Sequence, residues 1–273
     1  MRQLAAFFFL TFLVSWTCFF GSAAITPPGA SPTAGVAGAI YIVGVFAPAL
    51  VAVALTTLAT GRGGTVALVR RMVQVPSGGR WYVFVLGYMV GIKLTVALVY
   101  RLVMGGWPAF GDTPWYLLML AILFSTPVQS GEELGWRGYA LPRLATRFGL
   151  TWASLGLGAI WALWHLPFFF MAGVDKTGQA FPIYLLGTTA ISVALAWLYW
   201  RTGGSLLVTM LMHAAVNNTI GIVPSAMAGA TDPFSLKASL VAWFTLGIMW
   251  IVAAWCLWQM RGSTRGEFEG FVS

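Results

Sequence analysis

Two adjacent carboxylates, Glu132 and Glu133, occur in the stretch SGEELGWRGY, which ends a long apolar run and supplies Arg137 one helical turn later. The whole chain has only five other acidic residues. On a helix Glu133 and Arg137 are four apart and share a face, so an ion pair between them is natural. Glu132 points about 100° away, because the helix repeats every ~3.6 residues. One carboxylate is thus neutralised by a cation, and the other is left for acid–base chemistry. The plainer alternative is that both acids cap the end of an apolar segment together with Arg137, Arg143 and Arg147. The histidines weigh against it. The chain has two, His165 in WALWHLPFFF and His213 in LMHAAVNN, and each lies in an apolar run. Asn217 follows His213 by four residues, so imidazole and carboxamide project from one face. A single histidine in such a run is most often an interhelical hydrogen-bonder. An acid pair, both histidines and an asparagine on separate segments are what a buried hydrolytic or metal site requires.

The elements that must position these groups are set by composition. Hydrophobic residues make up 59% of the 273-residue chain and charged residues 8%, too little polar surface to cover a water-soluble globule. An all-α, polytopic membrane protein follows. A hydrocarbon core of ~30 Å takes ~20 apolar residues per helix, which yields eight predicted spans. They cover Leu4 to Ile25, Gly35 to Ala59, Trp81 to Met104, Trp115 to Gln129 and beyond, Thr151 to Met171, Pro182 to Trp200, Ser205 to Val223, and Leu236 to Trp258. The connectors are short, so residues 1–273 read as one integral-membrane domain with a motif-bearing core at about 115–223. Gly203-Gly204-Ser205 reads as a break and N-cap before the seventh span.

The net charge of +8 does not imply nucleic acid, because the basic residues are spread over short loops and build no patch. They report orientation instead. With the N-terminus cytoplasmic, eleven of the fifteen Lys and Arg face inward, and only Arg101, Lys176 and Lys237 face outward. The positive-inside rule therefore puts both termini in the cytoplasm. Lys93 falls inside the third span, where it either pairs with an acid such as Glu133 or snorkels. Trp136, Trp161 and Trp164 lie near the motif residues, and core packing is their expected role. Cys18 and Cys256 have no spacing that suggests a disulfide or a metal.

Glu132-Glu133-x-x-x-Arg137, a second motif ending in His165 and His213-x-x-x-Asn217 resemble, in order, the three signature motifs of the CPBP family of CAAX-prenyl proteases and bacteriocin-processing intramembrane endopeptidases. The resemblance covers roughly Thr126 to Asn218, and EELGWRGYALPRL is similar to the first motif throughout. It departs at Trp161, where the family usually carries Phe. That exchange keeps an aromatic one turn before His165, so the expected change is in packing more than in chemistry.

The resemblance implies hydrolysis of a peptide bond within the bilayer. Glu132 would be the base that activates water, with His165 assisting. His213 and Asn217 would stabilise the oxyanion, and Glu133 would be held by Arg137. The implied partners are membrane lipids and a peptide or prenylated-protein substrate, with no nucleic acid. Zinc is left open: family members are commonly called metalloproteases, and Glu with two His resembles a zinc set. Yet an HExxH helix is absent, and Glu133 could become a ligand only by leaving Arg137. Two other classes stand beside the protease. A proton-coupled transporter would spread ionisable groups across the membrane and show repeat symmetry, and neither is evident. An immunity or scaffold protein could retain the motifs without catalysis.

One geometric demand follows. With the fourth span starting at Trp115 and the fifth at Thr151, Glu132 and His165 would lie toward opposite faces of the membrane. They meet only if the fourth helix runs on past Arg137, to about Pro142, and the fifth starts below the membrane surface. The topology is tested by cysteine labelling. A cysteine at Ser31 is expected to react with a membrane-impermeant maleimide in intact cells, and one at Ser273 only after permeabilisation; equal labelling of both from outside overturns the arrangement.

Overall fold

In the computed structural model every regular element is helical, and the structure describes residues 2–174, 180–225 and 232–271. Lys176 and Ser273, used above for orientation, lie outside the described residues. The helices are α1 (Arg2–Ile25), α2 (Gly35–Arg70), α3 (Arg80–Met104), α4 (Trp115–Ser125), α5 (Ser130–Glu133), α6 (Leu141–Phe148), α7 (Leu150–Trp164), α8 (Phe181–Arg201), α9 (Leu206–Thr219) and α10 (Leu240–Met260). A π-helical segment, Leu134–Ala140, joins α5 to α6. Among the described residues five helices are long and apolar enough to cross a membrane, and α4, α7 and the α9 region are shorter apolar helices at the positions of the remaining predicted spans. The chain is an all-α polytopic membrane protein.

The α1 helix illustrates how such a chain folds. Its buried residues Leu4, Phe7, Thr11, Ser15, Phe19 and Ser22 recur every three or four positions, so they form one face. Phe9, Leu13 and Phe20 are exposed. Large apolar side chains outward, with Thr11, Ser15 and Ser22 among the inward ones, suit a lipid solvent, in which burial of hydrocarbon supplies no drive and close packing with hydrogen bonding must hold helices together. Ser15 has a definite partner. Pro48 in α2 lacks an N–H, which strands the carbonyl of Gly44 four residues earlier. Ser15 Oγ donates to that carbonyl at 2.8 Å.

The helices deviate from the predicted boundaries in informative ways. α2 does not stop at Ala59 but continues to Arg70 across a kink at Gly61 (φ 69°, ψ −166°). Ser205 stands at the start of α9 as expected, but no side-chain cap forms. Its hydroxyl donates to the Gln74 carbonyl instead. The fourth helical course does run past Arg137, through the π segment and α6 to Phe148. Pro127 opens a 3-10 turn that bends α4 away from α5. Gly149 (φ 77°, ψ 156°) then ends α6 and starts α7, a backbone conformation open only to glycine. Glu132 lies 17 residues before this turn and His165 lies 16 after it. The antiparallel α6–α7 hairpin therefore brings them level, each ~25 Å from the turn at 1.5 Å per residue.

Glycines let the carboxylate-bearing segment approach α2. A Cβ added at Gly135 would meet the Pro48 backbone at 2.6 Å, and one at Gly131 would meet the Phe46 ring at 3.0 Å. Gly131 and Gly135 are four apart, the small-xxx-small spacing of close helix contacts in membranes. Gly138 is similarly close to Leu68 and Leu206. Gly135→Ala is expected to destabilise the protein by about 1–3 kcal/mol, because a backbone cannot yield as a side chain does. Gly87→Ala, where a Cβ meets nothing within 4 Å, is expected to be neutral or mildly stabilising through helix propensity. Thermal unfolding in detergent compares the two, and equal effects would show that the Gly135 contact is unimportant.

Candidate active site

The site is assembled from three helical courses. α5 and the π segment carry Glu132, Glu133 and Arg137; α7 carries Trp161 and ends at His165; α9 carries His213. All six are buried. Glu133 Oε1 accepts a hydrogen bond from Arg137 Nη1 at 2.8 Å, with both side chains fully enclosed. The expected ion pair is therefore present. The same oxygen lies 3.0 Å from His213 Nδ1, so Glu133 is the hub of two contacts and is committed to holding its neighbours. Among the described residues Glu133 Oε2 and Arg137 Nε and Nη2 find no hydrogen-bond partner, which makes the pair monodentate. The Trp161 ring covers the guanidinium at 4.2 Å, a cation–π contact that supplies part of what hydrogen bonds do not.

Glu132 has different company. Trp161 Nε1–H donates to Glu132 Oε2 at 2.6 Å, and His165 Nε2 lies 4.0 Å from the same oxygen. The Trp161 exchange thus alters hydrogen bonding at the site as well as packing, because an indole N–H reaches an acid that a phenyl ring could only touch. His165 sits at the end of α7, and Pro167 follows two residues later. The His165 backbone N–H donates to the Ala162 carbonyl, which leaves the Trp161 carbonyl to face His165 Nδ1 at 2.9 Å. A carbonyl only accepts, so Nδ1 carries a proton and Nε2 is the nitrogen that faces Glu132, an acceptor whenever the ring is neutral. Such an acceptor beside a carboxylate can hold the second hydrogen of a water.

Other expectations resolve less directly. Asn217 lies one turn beyond His213, is exposed, and makes no hydrogen bond to the cluster among the described residues. Its neighbour Asn218 donates to Ser125 Oγ and the Ala214 carbonyl, tying α9 to α4. Lys93 is fully buried but pairs with no acid among the described residues. Its ammonium donates to the Val223 carbonyl, Ser225 Oγ and Thr245 Oγ1 at 3.0, 2.7 and 3.2 Å, so it staples the chain after α9 to α3 and α10. Trp136 and Trp164 are fully buried and pack edge to face, as core packing requires. Sequence reasoning overlooked Tyr184 of α8, whose ring meets that of His165 edge-on at 5.5 Å. It also overlooked the Gly131 and Gly135 spacing, which was visible in the motif itself.

The donors do not fit zinc. Among the described residues no group of three or more His, Cys, Asp or Glu is arranged to hold a metal ion. Structural and catalytic zinc sites need at least three protein ligands. Here Glu132 is engaged by Trp161, His213 Nδ1 faces Glu133, and Glu133 has not left Arg137.

The buried pair has a measurable consequence. Arg137→Ala is expected to cost ~3–5 kcal/mol, because it leaves a carboxylate enclosed without its cation. Glu133→Gln combined with Arg137→Gln is expected to be milder than Arg137→Ala alone. Unfolding free energies arranged as a double-mutant cycle measure the coupling, and strictly additive losses would show that the pair is not a unit.

Comparison with known proteins falls on this same region. Residues 112–219 match the family model described as type II CAAX prenyl endopeptidase Rce1-like. A curated protein of Methanococcus maripaludis named CAAX prenyl protease 2 is 29% identical over 112 residues, which is 37% of this chain. The match spans 37% of that relative's length, little more than a third. α4 to α9, which carry every motif residue, lie almost wholly within the matched residues. Both matches are likenesses to CAAX prenyl endopeptidases over the motif-bearing part of the chain.

Proposed function

We propose that the chain is an intramembrane endopeptidase in which Glu132 activates the attacking water. The observation that carries this reading is the convergence of Glu132 and His165, which are separate in sequence, belong to different helices and present Oε2 and Nε2 to each other at 4.0 Å. Glu132 would take a proton from a water whose other hydrogen is held by His165 Nε2, and would return that proton to the departing amine. His213, oriented through Nδ1–H by Glu133, would donate from Nε2–H to the oxyanion in its doubly protonated form, with Glu133 as counter-charge. Asn217, exposed on the same side of α9, would supply the second donor as substrate enters. Glu133 and Arg137 would hold this frame without exchanging protons. No step requires a metal.

The proposed substrate is a prenylated CAAX-type protein or a related membrane peptide, in keeping with the family and with the name of the Methanococcus maripaludis relative. The charge bias supports a cytoplasmic membrane location, if the source is prokaryotic, with both termini inside.

Glu132→Gln is the test. It preserves shape and keeps a carbonyl for the Trp161 N–H, but removes the proton acceptor. Cleavage of a farnesylated CAAX peptide by purified protein is expected to fall by ~10² to 10⁴-fold, with unfolding temperature unchanged. A folded Glu132→Gln protein that cleaves at the parental rate would sink the mechanism.

A further inference from the structure

Trp161 is 3% exposed and lies at the crossing of every contact in the site. Its ring is 4.2 Å from the Arg137 guanidinium, 5.1 Å from the His213 ring and 5.7 Å from the His165 ring. Its one polar atom, Nε1, points at Glu132 Oε2. An indole N–H is a donor and nothing else. At 2.6 Å it makes a short contact of the charge-assisted kind. The terminal torsion of a glutamate is otherwise broad, so an unheld carboxylate would offer either oxygen in many directions. A phenyl ring at this position would keep the aromatic surface and lose the donor.

We propose that Trp161 is a positioning residue for hydrolysis: its indole N–H holds Oε2 of Glu132, the oxygen that faces His165 Nε2, and so fixes the direction in which the carboxylate meets water, while Arg137 holds the indole in place. The inference rests on the role proposed for Glu132. It adds a route by which the Glu133–Arg137 pair acts on the base, through stacking and then through one hydrogen bond, without any proton passing between them. It also occupies one lone pair of Glu132 Oε2, so a bidentate use of that carboxylate is disfavoured.

The test separates the contact from the activity. UV resonance Raman difference spectra between the parental protein and Trp161→Phe isolate the Trp161 indole, whose N–H band reports hydrogen-bond strength. That band is expected to move to its weakly bonded position in Glu132→Ala, and a band that does not move overturns the proposal. With the farnesylated CAAX peptide as probe, kcat of Trp161→Phe is expected to fall by about 10-fold or more, the scale of a lost hydrogen bond to a charged group. KM is expected to stay within about 2-fold. Replacement of Trp161 by 3-benzothienylalanine, which keeps the shape and loses only the N–H, is expected to reproduce that loss. In a Glu132→Gln background Trp161→Phe is expected to add nothing. A kcat at the parental level in both Trp161 replacements overturns the proposal. Failure of the parental protein to cleave the peptide counts against the substrate reading, and the Raman result still decides the Trp161 contact.

Discussion

The structure depends on the neutralisation of Glu133. A carboxylate enclosed at membrane depth is tolerated only with a cation and hydrogen-bond donors around it. Glu133 Oε1 receives Arg137 Nη1 and faces His213 Nδ1, and satisfying that one oxygen joins the π segment to α9. Arg137 is held in turn beneath Trp161, which brings in α7. Three helices are thereby tied around a single charge. Glu132 is the neighbour for which no such cation is provided, and it is the residue proposed to activate water.

The geometry that permits this is made of small residues and broken helices. Gly131 and Gly135 bring the segment onto α2 at Pro48, where the stranded Gly44 carbonyl is satisfied by Ser15 of α1. Gly149 folds the α6–α7 hairpin so that positions equally distant from the turn sit opposite each other. In water such an arrangement could lean on burial of hydrocarbon. In lipid it has only close contact and polar pairing, which is why Gly131, Gly135 and the Ser15 hydroxyl stand where α1, α2 and the acid-bearing segment cross.

The π-helical stretch Leu134–Ala140 lies within the acid motif and contains Arg137. Such a stretch widens the helix locally and is found mostly at functional sites. Arg137 nevertheless keeps its four-residue relation to Glu133. The adjoining α6 is amphipathic, with Leu141, Pro142, Leu144 and Ala145 buried and Arg147 exposed.

The sequence by itself determined the helical class, the span positions and the set of titratable groups, because hydropathy and spacing are local properties that survive without coordinates. It also determined the Glu133–Arg137 pair, since four residues on a helix settle that contact. The continuation of the fourth helix to Phe148 and the extension of α2 past Gly61 were only partly legible, as both depend on how glycine and proline are used in context. Tertiary structure alone decided that His213 turns to Glu133, that Lys93 bonds to hydroxyl and carbonyl oxygens and not to an acid, and that Trp161 donates to Glu132. Each is a contact between residues 29 to 152 positions apart in the chain. A helical pattern says which face a side chain occupies, and only packing says what it meets there.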